Sequence, residues 1–117
     1  MRAIYFERTA RSPIHIHAGS HTKGVYVPDE KVVLYREQHG TFGGSTSSFT
    51  DRQELLDEMQ PLLNGATPNV EGVTYSGIKE FEYDGTKVKE LIQNARLERE
   101  LKGKVESGLD ALLEQAK

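Results

Sequence analysis

The last thirty residues carry two apolar stripes that do not line up, and that mismatch limits the folds open to the chain. Val88, Leu91, Ile92 and Ala95 recur at helical spacing, and so do Leu101, Val105, Leu109, Leu112, Leu113 and Ala116. Between them, Arg96 to Lys104 is mostly charged, with Glu98–Lys102 and Glu100–Lys104 at the i, i+4 spacing of a solvated helix. An unbroken helix from Lys87 to Ala116 would run about 45 Å at 1.5 Å per residue. A compact chain of this length has a radius of gyration of only about 13 to 14 Å. Either a glycine, Gly103 or Gly108, breaks the helix so that Val105 to Ala116 folds back as a helical hairpin, or the second stripe is buried against another copy of the chain. We adopt the second as the expectation, because exposing Leu109, Leu112 and Leu113 would forgo roughly 1.5 to 3 kcal/mol for each leucine. Self-association through the C-terminal helix is the predicted partnership.

Upstream, Lys31 to Asn64 reads as strand, loop and helix in one piece. Lys31-Val-Val-Leu-Tyr-Arg36 has strand composition, and His39 to Ser48 is rich in glycine, serine and threonine. The segment from Thr50 to Asn64 is an amphipathic helix, with Leu55, Leu56, Met59, Leu62 and Leu63 on one stripe. Thr50 is the expected N-cap, paired with Gln53 in a reciprocal capping box. Pro61 should kink or restart the helix, and Asn64-Gly65 should close it with a left-handed residue.

Residues 3 to 36 are rich in Ile, Val and Tyr and are punctuated by Pro, Gly and Ser, which predicts three or four short strands. The candidates are Ala3–Thr9, Pro13–Ala18, Val25–Val27 and Lys31–Arg36, with Pro28-Asp29-Glu30 turning the last two into a hairpin. Another strand is predicted from Val73 to Tyr83, interrupted near Gly77, with Ile78, Glu80 and Glu82 on its solvent side. Asp84-Gly85-Thr86 then leads into the C-terminal helical region. The fold class is α+β, with an antiparallel sheet of four to six strands packed on one short helix and followed by a C-terminal helical extension. Residues 1–117 are read as a single domain, 1–83 holding the sheet and helix 50–64, and 84–117 the C-terminal helix or helical hairpin.

The 117 residues include no cysteine, which removes disulfides, thiolate nucleophiles and cysteine-bound clusters. The start is charged by its seventh residue and no run has the length of a membrane span, so a cytoplasmic location with no membrane partner is the expectation. The formal net charge is −3, and residues 51–83 hold two basic against seven acidic side chains. That balance argues against duplex nucleic acid and leaves room for a local anion site.

The favoured site is the loop 39–50 with its adjoining basic and aromatic residues. Arg36, His39, Thr41, Phe42, Gly43, Gly44, Ser45 and Arg52 are the candidate ligand-binding residues, for a small anionic or nucleotide-like molecule. Glycines allow close backbone approach, hydroxyls donate, and the arginines pair with an anion. The loop has no Gly-Lys-Ser/Thr ending and no dinucleotide fingerprint, and Asp51 opposes an anion at the helix start. Tyr5, Phe6, Tyr26 and Tyr35 would suit base stacking, yet fit a sheet–helix core better. His15 and His17, two apart on a strand, form an alternative metal pair with His21 or His39 as a further ligand, which would make the chain a metal-dependent enzyme. No nucleophile elbow occurs, and Ser45, Ser47 and Ser48 are near His39 in sequence only. The reading is a non-catalytic, homo-oligomeric binding protein with no cofactor. Its alternatives are the metal enzyme and a protein-binding adaptor acting through the C-terminal helix.

Overall fold

The structure, a computed structural model, describes residues 1–10, 20–39, 45–97 and 102–116. Five strands form one antiparallel sheet. They are β1 (Arg2–Ala10), β2 (Ser20–Val27), β3 (Val32–His39), β4 (Ser45–Thr50) and β5 (Val73–Glu82), in the spatial order β4-β3-β2-β1-β5. The first four make a meander, and β5 returns to pair with the free side of β1. The helices are α1 (Gln53–Met59), α2 (Gly85–Leu97) and α3 (Lys102–Ala116).

Both faces of the sheet are covered, which explains why its strands carry unbroken apolar runs such as 3–6 and 32–35 rather than strict alternation. Ala3, Tyr5, Val25, Val27, Val32 and Leu34 meet Val88, Leu91 and Ile92 of α2 and Leu109, Leu112 and Leu113 of α3. Ile4, Phe6, Tyr26, Val33 and Tyr35 meet Leu55, Leu56 and Met59 of α1, together with Leu62 and Tyr75. The predicted α+β class stands, but the layer expected as a C-terminal extension is half of the core.

The favoured fate of that region is corrected by the same packing. Leu109 and Leu112 are 1% and 0% exposed within the single chain. The helical hairpin is the arrangement adopted, and the leucines whose exposure motivated self-association through α3, Leu109, Leu112 and Leu113, are buried in the chain's own core. Size made the fold-back necessary: the molecule spans 36 × 35 × 26 Å with a radius of gyration of 13.3 Å, too small to hold a helix of about 45 Å. α2 is described to Leu97 and α3 from Lys102, and α3 runs helical through Gly103 and Gly108. Gly108 instead permits close approach, since a Cβ there would stand 2.6 Å from Leu91 Cδ1.

Local signals placed several boundaries. Pro28–Glu30 forms a 3-10 turn that ends at Lys31 with φ 51°, joining β2 to β3. Asp84 Oδ1 accepts from Thr86 N at 2.9 Å and starts α2. α1 stops at Met59, Pro61 lies in a 3-10 segment covering Gln60–Asn64, and Gly65 closes it at φ 74°. β5 bulges at Gly77, φ 61°, where two of its residues, Gly77 and Ile78, stand opposite Phe6 alone of β1. Its Glu80 and Glu82 face solvent as predicted.

Two expectations fail. Thr50 does not cap the helix. It is the last residue of β4, its Oγ1 accepts from Arg52 N at 3.3 Å, and Gln53 Nε2 turns forward to Asp57 Oδ1 at 2.7 Å. The backbone carbonyl of Arg52 begins α1 instead, accepting from Leu55 N and Leu56 N. The loop read as 39–48 is shorter, because Ser45–Thr50 pairs with β3. The expected strand Pro13–Ala18 lies outside the described residues.

Candidate functional site

Each of β1, β2 and β3 changes character along its length on the face covered by α2 and α3. Alternation places Tyr5, Glu7 and Thr9 of β1 on that face, with Val25, Lys23 and His21 of β2 and Leu34, Arg36 and Gln38 of β3. Tyr5, Val25 and Leu34 form one cross-strand row in the core. The next row, Glu7–Lys23–Arg36, is polar and reaches Ser47 of β4 in register. The helices cover the first row, and the second is half-open at their margin.

Lys23 and Arg36 sit directly opposite each other on neighbouring strands, an arrangement that concentrates positive charge unless carboxylates answer it. Two do. Lys23 Nζ lies 3.9 Å from Glu7 Oε1, and an Arg36 guanidinium nitrogen lies 2.6 Å from Asp110 Oδ1 on α3. The Lys23 and Arg36 side chains keep 45% and 34% of their surface in solvent, and Glu7 and Asp110 keep 29% and 50%. Pairs so exposed contribute about 0 to 1 kcal/mol each, so a better anion can replace the carboxylates at little cost. His21 completes the patch: its Nδ1 is 3.0 Å from Thr9 Oγ1 and its Nε2 is 3.8 Å from Glu7 Oε1.

The opposite face carries a closed polar cluster. Arg8 donates through Nε and a terminal nitrogen to the two Glu58 oxygens at 2.9 and 3.1 Å, and the Tyr75 hydroxyl donates to the same carboxylate. Arg8 and Glu58 side chains are 5% and 15% exposed. Burial, the largest single influence, would lower the Arg8 pKa, but the hydrogen bond and the charge of Glu58, with smaller contributions from Tyr75, together outweigh it and the net shift is upward. Burial first, then the bond to Glu58, pushes the Tyr75 phenol far above its ordinary value. Thr22 and Glu37 follow Arg8 in the same buried row. This cluster ties α1 and β5 to the sheet and offers no open surface.

The predicted site residues are only partly brought together. Arg36 lies on the α3 side of the sheet. Arg52 precedes α1, which packs on the other face, so the two do not converge on one ligand. His39 and Ser45 take adjoining places at the ends of β3 and β4, and Thr41, Phe42, Gly43 and Gly44 lie outside the described residues. His15 and His17 also lie outside them. Among the described residues no three metal-ligating side chains converge. The rings of Tyr5, Phe6, Tyr26 and Tyr35 are core residues. Lys23, Glu7 and His21 were missed as members of the patch with Arg36. The signal existed in the shared switch from apolar to polar at Tyr5/Glu7, Val25/Lys23 and Leu34/Arg36, but reading it required the register.

Among the described residues no helix is long and apolar enough to cross a membrane. No family model matches the chain, and no curated protein or solved structure matches it.

Proposed function

We propose that the chain is a non-catalytic binding module that holds a small anionic, nucleotide-like ligand on the half-open polar row of its sheet, beside Arg36 and β4. The observation that carries this reading is the cross-strand pair Lys23–Arg36, whose carboxylate partners sit in exposed, weak ion pairs. A phosphate, with its three acceptor oxygens, would receive charge-assisted bonds from both cations at once, where Glu7 and Asp110 each answer one of them. The rigid antiparallel strands hold the two cations in place before binding, which lowers the ordering cost.

Calorimetric titration with inorganic phosphate, diphosphate and nucleoside phosphates tests it. The expected result is saturable binding that Arg36→Ala and Lys23→Ala each weaken by about tenfold or more. Absence of binding by every probe, or binding indifferent to both substitutions, removes the proposal.

A further inference from the structure

The two edges of the sheet are built differently. β5, at one end of the order β4-β3-β2-β1-β5, carries Lys79, Glu80 and Glu82 and is bent by the bulge at Gly77. Charge and bulging are the devices by which sheets prevent further strands from adding to an edge. β4, at the other end, has neither. Its sequence, Ser-Thr-Ser-Ser-Phe-Thr, holds no charge, no proline and no glycine, and all six residues pair in unshifted register with β3 on its inner side. Among the described strands nothing pairs with its outer side.

We propose that β4 is the docking edge for a second copy of this chain, laid antiparallel across a two-fold axis so that two five-stranded sheets join into one of ten. Such an interface is isologous, each β4 pairing with the other. The choice of a second copy rests on charge. A pair of β4 strands brings no like charges together, whereas two β5 strands would bring Lys79, Glu80 and Glu82 of both copies to one seam. It also keeps every neighbouring pair in the enlarged sheet antiparallel, as all four pairs within one chain already are. Backbone hydrogen bonds supply the attraction, as in strand addition generally. With six residues per strand the contact is small, so the dimer is concentration-dependent.

Sedimentation equilibrium of the full chain over a wide concentration range should show a monomer–dimer equilibrium. Ser47→Lys and, separately, Thr46→Lys should weaken it by about tenfold or more, by placing like charges across the axis. Ile78→Lys on the far edge should leave it unchanged, and circular dichroism checks that each variant is folded. Because the chain has no cysteine, Ser47→Cys or Ser48→Cys gives a direct positional readout: oxidation should produce a covalent dimer from at least one of them and none from Ile78→Cys. A chain that stays monomeric at every concentration overturns the proposal. So does a dimer that ignores both β4 lysines, or one that crosslinks only through position 78.

Discussion

Gly24 shows how little room the sheet leaves where β2 passes under Phe6. A Cβ at this position would lie 2.8 Å from Phe6 Cζ and 2.9 Å from the Leu34 carbonyl oxygen. The ring is fully buried and the carbonyl is backbone, so neither can retreat, and Gly24→Ala should cost about 1 to 3 kcal/mol in denaturant unfolding. The Arg8–Glu58 bond is a second sensitive point. Removing the carboxylate takes from a buried guanidinium its two-pronged ionic partner, so Glu58→Ala should cost about 3 to 5 kcal/mol, while an apolar pair replacing both partners should recover most of it. Tyr75 fixes the sign of an alkaline effect. Its neutral form is favoured in the fold, and an unfolded tyrosine ionises near pH 10. The stabilisation is therefore complete below about pH 10 and is lost as pH rises further, and Tyr75→Phe should flatten that loss in a pH series of melting temperatures. None of these contacts was legible in the sequence, because Arg8, Glu58 and Tyr75 are 50 or 17 positions apart and only folding brings them together.

At the level of elements, starts and stops that depend on a few neighbouring residues were readable. Asp84 caps α2 through bonds two and three residues ahead, so Asp84→Ala should cost about 1 kcal/mol. Gly65 and Pro61 ended the earlier helix for reasons contained in five residues. Thr50 misled because its capping role required a helix to begin there, and pairing with Val33 made it a strand residue instead. β4 was invisible for the same reason. Serine and threonine serve a loop or an edge strand equally, and strand preference is decided by the neighbour more than by the residue. α3 provides the sharpest test at this scale. Leu112→Ala should lower stability by about 2 to 5 kcal/mol through a cavity in the chain's own core, with the assembly state measured by sedimentation unchanged. A loss of association with stability intact would mean that the stripe faces a partner after all.

For the whole molecule, the sheet is a wall with two apolar rows of helix packing at one end and polar rows at the other. The proposed anion site occupies the polar end of one face, and the closed Arg8 cluster the polar end of the opposite face. What the sequence determined by itself was local: the turn at Pro28-Asp29-Glu30, the cap at Asp84, the stop at Gly65, an irregularity at Gly77, and which residues of each strand and helix were apolar. Those features rest on backbone preferences and side-chain bonds spanning a few residues, so they survive without knowledge of the rest of the chain. The tertiary structure alone decided that Ser45–Thr50 is a strand, that α3 returns to cover β2 and β3, and that Lys23 meets Arg36 while Arg52 does not. Those outcomes depend on register and on which apolar stripe reaches which face, and a strand or stripe acquires that meaning only from the partner it is paired with.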